Sequence, residues 1–253
     1  QVLLIYNHFD IILVVAVTPI LTSIRLLFTK RYILREHSYL DVHTIPDNES
    51  IDQKWDSLTI NVSKMLKTIV PIGFITYMFG FEYASIFNIY AIIFHIGSSV
   101  IETAGNGLAA SMGNVVSEQN DKKILNIYNM SSNLMFYIGG ILSICFFFVL
   151  SPFINLYIGK SADINYLSPL LGVMFIINET LNNLRFSPNL LIRATGHLKQ
   201  TSKSSVIEIL LALVLTPIGC LLLGYQGALL GSIFASLYRS LYISYYCRKK
   251  ILS

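Results

Sequence analysis

The stretch NMSSNLMFYIGGILSICFFFVL, residues 129–150, decides the fold class of this protein. Its 22 residues include no charged side chain, and about 20 apolar residues in a helix suffice to cross a bilayer. The whole chain shares this character, because 54% of its 253 residues are apolar and only 13% are charged. So few charges cannot cover the surface of a soluble protein, and so many apolar residues exclude disorder. The composition therefore predicts an integral membrane protein.

Apolar windows of similar length recur on both sides of this stretch. They predict an all-α integral membrane fold with about seven transmembrane helices. Prolines inside the spans predict kinks or unwound turns, which are tolerated where protein or water re-satisfies the freed carbonyls. The predicted helices are Asn7–Phe28, Leu58–Gly80, Ala84–Val116, Asn129–Leu150, Tyr166–Arg193, Ser205–Leu223 and Gln226–Tyr246, and the prolines are Pro19, Pro71, Pro188 and Pro217.

One long polar stretch divides the chain. Residues 30–56 are rich in acidic side chains and contain Pro46, which predicts a linker between two membrane units. Residues 1–29 then hold one helix, and residues 57–253 hold six. Because Gln1 already lies in an apolar stretch, we expect a piece of a longer protein and not a signal peptide.

The basic residues predict the orientation. If the first helix runs outside to inside, the outer connections contain Lys160 alone, and the linker and the C-terminus are cytoplasmic. This asymmetry accounts for the net charge of +4 without any nucleic-acid partner. The inner connections collect Lys30, Arg31, Arg35, Lys54, Lys122, Lys123, Arg193, Lys199, Lys203, Arg248, Lys249 and Lys250.

A few polar and charged residues fall inside the predicted spans, where an ionisable side chain costs about 2.5–3.5 kcal/mol. On four helices they follow a 4-3-4 spacing, which places each set on one helical face. The sets are Thr18, Thr22, Arg25 and Thr29; Ser57, Asn61, Lys64 and Thr68; His95, Ser99, Glu102 and Asn106; and Asn178, Asn182, Arg185 and Asn189. Glu179 lies mid-span, and Arg239 shares a face with Ser232 and Ser236.

Two interpretations of these faces remain open. They are either hydrogen-bonded seams between helices, with Arg25, Lys64 and Lys67 snorkelling to the interface, or the lining of a hydrated cavity. The excess of basic over acidic residues favours a cavity that takes an anionic group. The candidates for substrate binding are Arg25, Lys64, Asn178, Asn182, Arg185, Asn189 and Arg239, and those for ion coupling are His95, Glu102 and Glu179.

No catalytic or metal-binding motif is present in the sequence. There is no nucleophile elbow, zinc-protease motif or phosphate-binding glycine loop, and the three cysteines have no partner at ligand spacing. We therefore expect neither an enzyme nor a bound cofactor or metal.

Six segments, in order, resemble the bacterial O-antigen and capsule repeat-unit flippases. These form the polysaccharide-transporter branch of the multidrug/oligosaccharidyl-lipid/polysaccharide exporter superfamily. The segments are DQKWDSL (52–58), FGFEYASIFNIYAII (79–93), NGLAASMGNVVSEQN (106–120), SPFINLYIGKSADINYLSPLL (151–171), LRFSPNLLIRATGHLKQT (184–201) and GYQGALLGSIFASLYRSLYISYYCRKKIL (224–252). Together they cover nearly all of the chain from Asp52 onward.

The resemblance implies a MATE-like fold of two six-helix lobes around a central cavity. This chain would supply the last helix of the first lobe, the linker and the second lobe, in a bacterial cytoplasmic membrane. The implied activity is flipping of undecaprenyl-diphosphate-linked oligosaccharides by alternating access. Coupling to a proton or sodium gradient is a hypothesis that rests on Glu102 and Glu179 in the predicted spans. The implied partners are the lipid-linked oligosaccharide, membrane lipid, the missing N-terminal lobe, a polysaccharide polymerase and glycosyltransferases.

Two alternatives remain. A multidrug or cation extruder of the same fold would favour acidic cavity residues, whereas basic residues are in excess here. A membrane-embedded enzyme of glycan assembly would favour a large outer loop or a cluster of His and Asp, and the sequence shows neither.

Overall fold

The structure, a computed structural model, describes residues 11–36, 53–158 and 165–252. Of these residues 93% are helical and none lies in a strand, which confirms the all-α prediction. The chain divides into two compact units, residues 1–51 and 52–253, which are considered separately.

The described residues form eight α-helices. The first unit contains α1 (Ile11–Glu36). The second contains α2 (Lys54–Phe79), α3 (Phe81–Ser117), α4 (Asp121–Ile158), α5 (Pro169–Leu184), α6 (Phe186–Ala194), α7 (Leu198–Leu223) and α8 (Ala228–Lys250), with a 3-10 turn at Gly224–Gly227.

Four helical stretches of the described chain are long and apolar enough to cross a membrane. They are α2, α3, residues 121–156 of α4, and the stretch from Leu198 to Lys250, which contains α7, the 3-10 turn and α8. The chain thus has the helices of a membrane-embedded protein. The count of seven spans stays a prediction, since α5 has only 16 residues and α6 only 9.

The predicted helix Tyr166–Arg193 begins later than expected and is interrupted, as Pro188 indicated. Residues 165–168 are not helical, and the helix is broken at Arg185 into α5 and α6. Pro188 explains the break, because it has no N–H to donate to the carbonyl of Leu184 and its ring clashes with that carbonyl. The residue at the break is thus one of the predicted cavity residues.

Helical structure also extends into both ends of the predicted linker. Helix α1 continues to Glu36 and α2 begins at Lys54, so residues 30–36 and 54–56 are helical. The central part of the linker, residues 37–52, lies outside the described residues.

The core of the second unit is layered along the helix axes. One apolar cluster packs Phe87, Tyr90, Phe94 and Phe175 with neighbours from other helices. A second packs residues nearer the C-terminal ends of α6 and α8, among them Ile192 and Ile243. Along α5–α6 and α8, polar side chains occupy the level between the two clusters. This layering holds the polar residues at mid-length of the helices.

Glycines allow α7 and α8 to pack backbone against backbone. A Cβ atom on Gly231 would lie 2.9 Å from the carbonyl oxygen of Ala212 and closer still to Thr216. Gly219 and Gly227 face each other in the same way. This close approach brings the polar faces of α7 and α8 into direct contact.

Candidate functional site

Glu208 on α7 lies at the centre of a buried group of charges. Its carboxylate accepts hydrogen bonds from Lys67 Nζ at 2.9 Å and from Arg185 Nη1 at 2.6 Å. Arg239 Nη1 on α8 donates to the other carboxylate oxygen at 3.2 Å. One acidic residue therefore binds three cations from three other parts of the fold.

Amides of α5 complete this arrangement. Asn182 Oδ1 accepts from Lys67 Nζ at 3.2 Å and from Arg185 Nη2 at 2.7 Å. Ser236 Oγ accepts from Lys67 and donates to Asn178 Oδ1 at 3.2 Å. We call the whole set the charged cluster: Lys67, Asn178, Asn182, Arg185, Ser205, Glu208, Ser236 and Arg239, in which Ser205 accepts from Arg239.

Burial makes the charged cluster costly to form and costly to disturb. The exposed fraction of its charged side chains is 9% for Lys67, 12% for Arg185, 5% for Glu208 and 6% for Arg239. Three positive side chains around one carboxylate leave a formal net charge of +2. Buried charges are tolerated only when paired and hydrogen-bonded, which explains the surrounding amides and hydroxyls.

Prolines help to place two of the cations. Arg185 lies at the break between α5 and α6, three residues before Pro188. Lys67 lies four residues before Pro71, which cannot donate the usual helical hydrogen bond to the Lys67 carbonyl. A helix interrupted within a membrane protein usually lines a polar site. The break at Arg185 is therefore a feature typical of ion and substrate sites.

Glu179 supplies a second carboxylate beside the charged cluster. It accepts hydrogen bonds from Ser98 on α3 at 2.7 Å and from Asn178 and Asn182 at 3.3 and 3.2 Å. Asn182 Oδ1 also accepts from Arg185, and Asn178 Oδ1 accepts from Ser236. The amide of Asn182 therefore joins Glu179 directly to the cations, and the amide of Asn178 joins it to Lys67 through Ser236.

A second group of polar residues lies on the outside of α2 and α3. Lys64 Nζ donates to Glu102 Oε1 at 2.8 Å, and their side chains are 69% and 57% exposed. The remaining members are also exposed, and we call the set the polar face: Asn61, Lys64, Thr68, His95, Ser99, Glu102 and Asn106. Two of the predicted 4-3-4 sets are thus joined by an ion pair.

Other exposed faces of this unit are apolar. On α4, Phe136, Ile141 and Phe148 are 62%, 61% and 71% exposed, as expected for a surface against lipid. Exposed charges and amides are costly in hydrocarbon, so the polar face is an unfavourable surface against lipid, and water or another polar protein surface is favoured there.

No family model, curated protein or solved structure matches this chain. The resemblance of the six segments to the flippases therefore stays a prediction.

The structure brings together four of the seven predicted substrate-binding residues, namely Asn178, Asn182, Arg185 and Arg239. Lys64 is not among them, because it points outward to the polar face. Asn189 lies beyond the helix break, where its backbone N–H donates to the Arg185 carbonyl at 3.0 Å. Arg25 is exposed on α1, which belongs to the other unit.

The three predicted ion-coupling residues do not lie together in the structure either. Glu179 is half-buried beside the charged cluster, whereas His95 and Glu102 are exposed on the polar face. Within the described residues no three His, Cys, Asp or Glu side chains converge as a metal site.

Sequence reasoning missed Glu208 and left the position of Lys67 open. Glu208 is the one acidic residue within the predicted span Ser205–Leu223, and the cost of a charge in such a span was the available signal. Lys67 does not snorkel to the interface, because its side chain is 9% exposed and its ammonium group binds Glu208.

Proposed function

We propose that this chain is part of a carrier that flips an undecaprenyl-diphosphate-linked oligosaccharide across the bacterial cytoplasmic membrane. The observation that carries the proposal is the polar face, which is exposed in helices that also present apolar surfaces for lipid. A hydrated cavity along this face would accept a charged head group that lipid excludes.

The charges of the site suit an anionic substrate. A diphosphate carries about two negative charges, and cations with hydrogen-bond donors offset the loss of its water. Lys64 is the exposed cation of the polar face, and the charged cluster adds a net charge of +2 in the same unit. Asparagine and serine side chains of the polar face supply donors and acceptors for sugar hydroxyls.

The proposed architecture is the second lobe of a two-lobe, MATE-like transporter with about seven helices in this chain. The linker and the C-terminus are cytoplasmic in this proposal. Transport proceeds by alternating access, coupled to a proton or sodium gradient through Glu179, Glu102 or His95. In this proposal an N-terminal lobe of the same fold closes the cavity, and a polymerase and glycosyltransferases act on the same lipid-linked substrate.

The test uses proteoliposomes in which this chain is joined to the N-terminal lobe of the proposal, with a fluorescent polyprenyl-diphosphate oligosaccharide, and measures how much label reaches the opposite leaflet. A hydrogen bond to a charged group is worth about 1.5–3 kcal/mol, so Lys64→Gln should slow flipping about 10- to 150-fold. Lys54→Gln is the matched control, since Lys54 is an exposed lysine at the start of the same helix. If Lys64→Gln and Lys54→Gln both flip the label as fast as the unmodified protein, Lys64 does not contact the substrate.

One observation favours a second candidate, a multidrug or cation extruder. Glu102 places a carboxylate on the polar face, as a site for organic cations would require. Its ion pair with Lys64 neutralises both charges, so the ranking rests on the net charge of +2 of the charged cluster, which favours an anion. Efflux of a cationic dye that Glu102→Gln abolishes, without flipping of the lipid-linked saccharide, would reverse the ranking.

A further inference from the structure

A cavity of about 330 Å³ lies between α4, α5, α6 and α8. On α8 it is lined by Leu237, Leu241, Ser244 and Arg248, whose 4-3-4 spacing puts them on one face. Eleven residues of α-helix span about 16 Å, close to the hydrocarbon depth of one leaflet. The lining residues in the described part of the chain do not include the four charged members of the charged cluster.

The walls of this cavity are largely apolar and partly open to the lipid side. Phe136 on α4 and Leu241 on α8 both line it, and they are 62% and 64% exposed. A mostly apolar cleft with a few polar groups is the usual form of a site for an amphiphilic ligand.

Two hydroxyls of the wall, Ser132 Oγ and Ser187 Oγ, have no hydrogen-bond partner within the described structure, and Ser187 is the more buried of the two residues. Ser187 on α6 is 2% exposed. Leaving a buried hydroxyl unsatisfied costs about 1–3 kcal/mol, so a ligand with an acceptor would be favoured here.

The hydroxyl of Ser187 lies near the basic end of the cavity. Cys247 Sγ contacts the carbonyl oxygen of Pro188 at 3.5 Å, which puts Ser187 at the level of the last turns of α8. That last turn carries Arg248, Lys249 and Lys250, and Arg248 lines the cavity. From its basic end inward, the cavity therefore presents the guanidinium of Arg248, the hydroxyl of Ser187 and an apolar channel.

We infer that the cavity binds one anionic phospholipid of the surrounding bilayer. Its phosphate pairs with Arg248, an ester carbonyl accepts from Ser187 Oγ, and one acyl chain lies along Leu241 and Phe136. The order of these groups in a phospholipid matches their order in the cavity. This inference depends on membrane embedding and is independent of the substrate proposed above.

The test measures binding of phosphatidylglycerol and phosphatidylcholine to the purified full chain by native mass spectrometry. We expect one phosphatidylglycerol to bind, and Arg248→Gln to weaken its binding at least tenfold. Lys250→Gln is the matched control, because it removes a charge from the same helical turn without touching the cavity. Phosphatidylcholine should bind at least tenfold more weakly than phosphatidylglycerol to the unmodified chain.

A second variant keeps the charge and fills the channel. Ser244→Leu should reduce phosphatidylglycerol binding although Arg248 remains, and it tests the site even if Arg248→Gln fails to fold. Equal binding of phosphatidylglycerol by Arg248→Gln and Lys250→Gln would overturn the inference. So would displacement of phosphatidylglycerol by an equal amount of decaprenyl phosphate, which would make a polyprenyl chain the occupant.

Discussion

Replacing Glu208 by Gln removes the negative charge of the charged cluster with almost no change of shape. Lys67, Arg185 and Arg239 then remain buried around a neutral amide, and the formal net charge rises from +2 to +3. The amide nitrogen of the new side chain must also face at least one cation, since all three donate to Glu208 in the native structure.

The expected loss of stability is large. Removing one partner of a buried ion pair costs about 3–5 kcal/mol, because the other charge is left uncompensated. Here three cations lose their partner, so we expect at least this range. For a chain of this size about 1 kcal/mol corresponds to about 2–4 °C, so the unfolding midpoint should fall by about 6–20 °C.

The cysteines of the chain provide the assay. Cys220 and Cys247 are 1% and 0% exposed, whereas Cys145 is exposed. In a Cys145→Ser background a thiol-reactive fluorophore reports unfolding of the detergent-solubilised protein as the two buried thiols become accessible. Glu118→Gln is the control, since Glu118 pairs with Lys123 on the surface and such pairs contribute about 0–1 kcal/mol.

Two results would contradict a buried ion network around Glu208. If Glu208→Gln and Glu118→Gln unfold within about 2 °C of each other, the cations do not need the carboxylate and the charged cluster is not a buried ion network. The double variant Glu208→Gln/Arg239→Gln restores a net charge of +2, so it should recover part of the loss. Additive losses in the double variant would equally contradict the proposed coupling.

Two further predictions use the same thiol assay. Gly231→Ala should lower the unfolding midpoint by about 2–12 °C, because a Cβ there meets the α7 backbone and overpacking costs about 1–3 kcal/mol. Gly140→Ala is the control and should be neutral or stabilising, since a Cβ at that position meets nothing within 4 Å. Reversing Lys64 to Glu or Glu102 to Lys should each lower stability by under about 1 kcal/mol, and the double reversal should restore it, because the pair is exposed. A double reversal no better than the single ones would exclude a direct ion pair.

The elements of the fold were largely predictable because they depend on local composition. The stretch at residues 129–150 lies within α4, and the predicted span Ala84–Val116 lies within α3. Pro188 predicted a disturbance of the fifth span, but not that the helix would break at Arg185. A proline predicts a disturbance nearby, but whether a helix bends or breaks depends on whether the freed carbonyl and its neighbours find partners elsewhere.

The candidate site was only partly predictable, because it depends on contacts between residues that are distant in the chain. Asn178, Asn182 and Arg185 were recognised because residues three or four apart share a helical face. Glu208 was missed because its partners are distant in the chain, with Lys67 separated from it by 141 positions. No local pattern links two residues so far apart.

The amino-acid sequence by itself determined that this chain is helical and belongs in lipid, since charge content and the length of apolar windows are additive local properties. It also determined that polar residues share helical faces. Only the tertiary structure decided which polar residues are buried and which are exposed. Lys64 and Lys67 lie three residues apart on α2, yet one is 69% exposed and the other 9%. The difference arises because the packing of α7 and α8 against α2 selects the face that turns inward, and Glu208 compensates the charge that is buried there.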